Sequence, residues 1–127
     1  MRRPLRELMH RQVTAVGVDT PLGDAARRMR ALSVTRLPVC DGPKLVGLIT
    51  ARDLTMRATA ERLDPQTSTV REVMTRRVVC VEEGEDLRRA ARIMQRFNLL
   101  RLPVVNRQQH LVGIVYSSDL DRCRRAT

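Results

Sequence analysis

The sequence predicts an α/β (α+β) fold built twice, as two tandem βαββα repeats related by a pseudo-twofold with their sheets packed against each other. Three observations lead there. The chain matches itself in one order along nearly its whole length. Its apolar residues switch between the strand period and the helix period at corresponding places in each copy. Hydrophobic residues make up 43% and aromatic residues only 2%, so the shared core is aliphatic.

The repeat is explicit. Leu5-Arg6-Glu7-Leu8-Met9 returns 65 residues on as Val70-Arg71-Glu72-Val73-Met74. At the same offset Leu22, Ala25, Ala26, Arg27 and Met29 match Leu87, Ala90, Ala91, Arg92 and Met94, and Arg36-Leu37-Pro38-Val39 matches Arg101-Leu102-Pro103-Val104. One residue inserted near Gln108 or Gln109 moves the offset to 66, after which Leu45-Val46-Gly47 matches Leu111-Val112-Gly113 and Asp53-Leu54 matches Asp119-Leu120. The first copy is taken as residues 1–63, the linker as 64–69 and the second copy as 70–127. Neither copy, at roughly 60 residues, can bury much surface alone.

In order, a short helical turn over Leu5 to Met9 leads to a strand from Val13 to Val18. Thr20-Pro21 reads as an N-cap with proline at the first helical position. The helix behind it carries Leu22, Ala25, Ala26, Met29 and Leu32 on one face. Leu37 to Cys40 is a short strand, Asp41-Gly42-Pro43 a turn and Leu45 to Thr50 a strand. A second helix follows Thr50 to about Leu63, stopped by Pro65. The second copy repeats this with Val78 to Val81, Leu87 to Phe97, Leu102 to Val105, Leu111 to Tyr116 and a last helix from about Ser118.

Composition excludes several classes. The chain has 127 residues and no apolar run approaching the roughly 20 that span a bilayer. Its basic N-terminus lacks the apolar stretch of a signal peptide, so a cytoplasmic location is expected. Phe97 and Tyr116 are too few to build stacking platforms for RNA or single strands. The 24 basic residues against 14 acidic give +10, a surplus that attracts polyanions. Lys44 is the single lysine, and so strong an arginine excess also arises from coding bias. Cys40, Cys80 and Cys123 are widely spaced and form no Cys-x-x-Cys, and no metal site is expected. Cys40 and Cys80 lie in apolar runs; Cys123, near a polar end, is a candidate for redox chemistry.

His10 and His110 fall in polar segments without a repeat counterpart. No Ser/His/Asp or Cys/His set is present, nor a phosphate-binding glycine loop, and an enzyme is not expected. What repeats is Gly47-Leu48-Ile49-Thr50-Ala51-Arg52-Asp53 and Gly113-Ile114-Val115-Tyr116-Ser117-Ser118-Asp119. A strand running into a helix presents free N–H groups that favour an anion. A carboxylate there accepts from two ribose hydroxyls, with Thr50 beside it. Taken alone, Thr50-x-x-Asp53 reads first as a capping box. Arg36 and Arg101, each before Leu-Pro at a strand mouth, suit phosphate oxygens, as does Arg52, or else are solvated surface residues. The runs at Arg27-Arg28, Arg88-Arg89 and Arg122 to Arg125 read as solvated helix faces.

These residues carry a family likeness. Tandem βαββα halves, each with an Arg-Leu-Pro-Val strand and a Gly-h-h-x-x-x-Asp junction (h apolar), resemble a pair of CBS domains, the unit called a Bateman module, over about residues 5 to 122. Within that family the chain resembles short stand-alone bacterial members, including the hypoxic-response type, a likeness that extends to Leu63-Asp64-Pro65-Gln66-Thr67. The resemblance implies a regulatory module binding an adenosine-containing ligand (AMP, ADP or ATP, or S-adenosylmethionine or NADH) in the cleft between the repeats. By position, Asp53 and Asp119 hold ribose with Thr50 assisting, and Arg36, Arg52 and Arg101 face phosphates. Leu37, Val39, Leu102 and Val104 lie near the adenine. The second copy departs from the family pattern, with Tyr116 where Thr50 stands in the first; a Tyr there stacks on a base or fills the cleft. Homodimerisation through the helices and signalling to an unidentified protein partner are also implied. Against this sensor stand a protein-interaction module with empty clefts and, ranked last, a basic polyanion or nucleic-acid binder.

Overall fold

The computed structural model describes residues 3–125, with side chains to residue 122. Elements follow as β1 (Val16–Gly17), α1 (Leu22–Leu32), β2 (Arg36–Asp41), β3 (Lys44–Thr50), α2 (Asp53–Ala58), α3 (Val70–Val73), β4 (Val81–Glu82), α4 (Leu87–Arg96), β5 (Arg101–Val105), β6 (Leu111–Tyr116) and α5 (Ser117–Arg125). They make a mixed α/β fold with two three-stranded sheets of equal topology, ordered β1-β2-β3 and β4-β5-β6. In each the short first strand runs parallel to the second and the second antiparallel to the third. A register slip falls at the same place in both hairpins, between Val39 and Cys40 and between Val104 and Val105.

Contacts group the chain into two compact units: Thr14–Val78, and the residues up to Val13 together with those from Val79 onward. These units are not the sequence copies delimited at 1–63, 64–69 and 70–127. The segment that opens each copy packs into the unit built mainly from the other.

In the unit Thr14–Val78, β2 is central and buries Leu37, Pro38 and Val39 in succession, whereas β3 alternates, burying Leu45, Gly47 and Ile49. α1 lays Leu22, Ala25 and Met29 on that core with helical spacing. Val70, Val73 and Met74 complete it. The first strand shrinks from Val13–Val18 to Val16–Gly17, because only these two residues pair with β2. Thr20 does not cap α1. Pro21 holds the cap position at φ −60 and ψ 145, and the Thr20 hydroxyl accepts from the Gly17 N–H at 3.1 Å. The second helix covers 51–60 and ends before Leu63: Arg62 adopts φ 54 and its N–H bonds the Thr59 carbonyl, turning the chain ahead of Pro65. Its middle, α2, is wound as a π-helix.

In the other unit a 3-10 turn over Leu5–Glu7 plants Leu5, fully buried, and Met9 in a core with Val81, Leu87, Ala90, Met94, Leu102, Val104, Val115 and Leu120. Asp86 caps α4 by accepting from the Arg88 N–H at 2.9 Å. The β5–β6 loop holds the inserted residue. Asn106 accepts from the Gln108 and His110 N–H groups, both at 3.0 Å, and Gln109 takes φ 67.

Candidate functional site

Each unit builds the same corner where its hairpin meets the following helix. Arg36 opens β2 directly opposite Thr50, the last residue of β3, and Arg101 opens β5 opposite Tyr116. Residues paired in this way project from one face of the sheet. The Arg101 guanidinium lies 5.8 Å from the Tyr116 ring centroid, a cation–π distance. Asp53 and Asp119 then follow in the first turn of the next helix. Arg36, Arg52 and Arg101 are exposed, and the side chains of Arg36 and Arg52 make no hydrogen bond or ion pair among the described residues.

Asp53 is the buried charged residue of the described chain, 7% exposed. Its carboxylate accepts from the Thr50 N–H at 3.0 Å while its own N–H donates to the Thr50 hydroxyl at 3.0 Å. The capping box is therefore real. It leaves much of the carboxylate over, and the Thr75 hydroxyl donates to both oxygens at 3.1 and 3.3 Å. Arg57 stands 3.9 Å from one oxygen and donates to the Val73 and Met74 carbonyls, both at 3.2 Å.

In the other unit the His10 Nε2 donates to one Asp119 oxygen at 2.8 Å, and Arg122 donates to the other at 2.7 Å. The His10 ring meets Tyr116 edge to face, with centroids 5.1 Å apart. Sequence reasoning passed over Thr75 and set His10 aside as lacking a repeat counterpart, yet the two occupy equivalent positions. Carrying the Leu5–Met9 match one residue further sets His10 against Thr75. Both lie on a segment that crosses the sheet edge as a strap: Thr75 exchanges backbone bonds with Leu48 at 2.8 and 2.9 Å, and His10 with Ile114 at 2.8 and 2.9 Å. Arg57 was missed for want of any repeat signal, and Arg122, read as part of a solvated helix face, is exposed but also bonds Asp119; the two are not counterparts.

The residues expected near an adenine are placed differently. Leu37, Val39, Leu102 and Val104 are at most 3% exposed and packed inside the core of their own unit, so their side chains are closed to a base. Tyr116, half-buried, keeps part of its ring accessible. Burial raises the thiol pKa of Cys40, and burial with the neighbouring Glu85 and Glu82 raises that of Cys80, which keeps both protonated as small apolar groups. The Cys123 side chain lies outside the described residues.

The CBS domain family model matches residues 5–58 and 70–125. The chain belongs to the CBS domain family. It carries two CBS domains in tandem, and it is 33% identical over 118 residues to hypoxic response protein 1 of Mycobacterium tuberculosis, covering 92% of this chain and 82% of that protein. It is 35% identical over 116 residues to the CBS domain-containing protein YhcV of Bacillus subtilis, covering 91% of this chain and 81% of that one. Both relatives are thus little longer than the pair itself. Among solved structures, hypoxic response protein I with two coordinated zinc ions matches with TM-score 0.78 and 32% identity over 94% of this chain and 98% of that one. CBSX2 in complex with AMP matches with TM-score 0.78 and 25% identity over 97% and 96%. The CBS pair of protein MJ0100, in complex with 5′-methylthioadenosine and S-adenosyl-L-methionine, matches with TM-score 0.69 and 27% identity over 99% and 98%.

Among the described residues no three His, Cys, Asp or Glu side chains gather as ligands. His10 and Asp119 come together, but Arg122 places a cation on the same carboxylate. No described helix is long and apolar enough to cross a membrane.

Proposed function

We propose that this CBS pair is a non-enzymatic regulatory module that binds an adenosine-containing nucleotide of the AMP, ADP or ATP type beside Asp53 and Asp119, and signals as a homodimer or through a partner protein. The observation that carries this reading is the corner built twice from one pattern: an arginine, a hydroxyl-bearing side chain and a carboxylate. A carboxylate is the acceptor that a ribose diol calls for, and Asp53 and Asp119 take that role, with Thr50 beside Asp53. Arg36, Arg52 and Arg101 are exposed cations suited to phosphate oxygens. Tyr116 offers a ring edge or face to a base. The solved complexes of CBSX2 with AMP and of the MJ0100 pair with adenosyl compounds support a ligand of this class.

A thermal-shift screen of AMP, ADP, ATP, S-adenosylmethionine, NADH and GTP at two salt concentrations tests it. A ligand bound only by the folded state adds about 2.7 kcal/mol at a hundredfold excess over its Kd, several degrees for a chain of this size. A shift for an adenosine ligand that persists in high salt is the expected result. A second reading, a protein-interaction module with empty sites, is favoured by the protein donors already on each carboxylate; it predicts a flat panel. Shifts for every polyphosphate that vanish in salt would instead indicate the arginine-rich surface.

A further inference from the structure

The bonds made by Thr75 and His10 point to a device beyond nucleotide binding itself. A carboxylate that receives a ribose diol uses both oxygens, one for each hydroxyl. In both units that bidentate edge is already taken. The Thr75 hydroxyl bridges the two oxygens of Asp53 at 3.1 and 3.3 Å. His10 and Arg122 take one oxygen of Asp119 each, at 2.8 and 2.7 Å. Two different residue types, at one position of the repeat, thus each bond the carboxylate of their unit, Thr75 at both oxygens and His10 at one.

The straps explain why this contact is built in. Each strap is fixed to its sheet edge by a reciprocal pair of backbone bonds on the very residue concerned. Beneath each lies a glycine, Gly47 or Gly113, and a Cβ there would sit 2.5 Å from the Thr75 carbonyl oxygen or 2.8 Å from that of His10. The strap backbone is therefore held against the strand at Gly47 and Gly113, which leaves rotation of the side chain as the simplest way to free the carboxylate. The His10 side chain is 51% exposed and that of Arg122 78%, so both reach water readily once displaced.

We propose that Thr75 and His10 are built-in stand-ins for the ribose hydroxyls. Each occupies its carboxylate in the ligand-free protein, and the nucleotide binds by exchanging with it while the strap backbone stays in place. Self-occupancy then sets the affinity of each site, and the residue at this one position tunes it. The inference rests on the assignment of Asp53 and Asp119 as ribose acceptors.

Calorimetric titration with AMP tests it on the full chain. His10→Ala and Thr75→Ala each remove a competitor and are expected to tighten AMP binding about threefold to tenfold, the range of one modest hydrogen bond. His10→Thr, which installs the residue of the other unit, and Thr75→Ser restore the donor and keep wild-type affinity. AMP binding by the alanine variants that equals or falls below wild type overturns the stand-in role, while loss of binding in Asp53→Asn and Asp119→Asn still upholds the site. Binding unchanged in those two variants, or absent from every protein in the series, overturns the site and the proposal together. His10, half-exposed, carries the test if Thr75→Ala does not fold.

Discussion

A methyl group at Gly47 or Gly113 would collide with strap backbone, which a flexible side chain cannot relieve, since the nearest atoms are carbonyl oxygens at 2.5 and 2.8 Å. Gly47→Ala and Gly113→Ala are each expected to cost about 1–3 kcal/mol as an overpacking change, seen as a fall of several degrees in Tm. The same substitution at Gly84, which faces the flexible end of Arg6 at 3.2 Å, serves as the near-neutral control. At this scale the sequence was legible where a side chain repeats and opaque where only a role repeats. Asp53, Asp119, Arg36 and Arg101 announce themselves as identical letters. Thr75 and His10 share a task but no chemistry beyond a donor hydrogen, so comparison by residue type passed over them. Leu37, Val39, Leu102 and Val104 failed in the opposite way. The family resemblance set them near an adenine, whereas the central strand buries both its faces and takes their side chains for the core.

At the scale of elements, hairpins and the helices α1 and α4 fall within a residue or two of the periods that predict them, because Pro, Gly and Asn punctuate their ends. The π-wound α2 was not legible. Nothing in Asp53-Leu54-Thr55-Met56-Arg57-Ala58 breaks an α-helical pattern, and the widened turn accompanies contacts distant in sequence. There Arg57 holds the carbonyls of Val73 and Met74, the residues leading into the Thr75 strap. Its counterpart position in α5 is Cys123, and among the described residues this tether is seen in the Thr14–Val78 unit. Arg57→Ala is expected to lower stability by about 1–2 kcal/mol through two lost charge-assisted bonds on a partly exposed side chain. Faster hydrogen exchange confined to residues 70–78 would check it.

At the scale of the whole molecule, duplication read from the sequence gives two sheets of one topology, and the compact units, one of them Thr14–Val78, are cut at other places than the two sequence copies. The exchanged segments explain the difference. A repeat is delimited by where its letters begin again, but a compact unit is delimited by where its apolar residues are buried. Leu5 and Met9 are buried among residues of the second copy, and Val70, Val73 and Met74 among those of the first. Leu5→Ala therefore tests the grouping. It is expected to cost about 2–5 kcal/mol as a core truncation, with hydrogen exchange accelerating over residues 101–116 and remaining slow over 36–50. Acceleration over 36–50 instead would contradict the grouping.

The regulatory reading of the CBS pair stands or falls on its two carboxylates, and calorimetric titration of AMP into wild type and into the Asp53→Asn/Asp119→Asn double variant tests that most directly. Circular dichroism of the variant establishes that it remains folded. Saturable binding to wild type and a loss of at least about tenfold in the double variant are expected, the effect of removing hydrogen bonds to a charged group. AMP binding of equal affinity by the two proteins, or none by wild type, would contradict it.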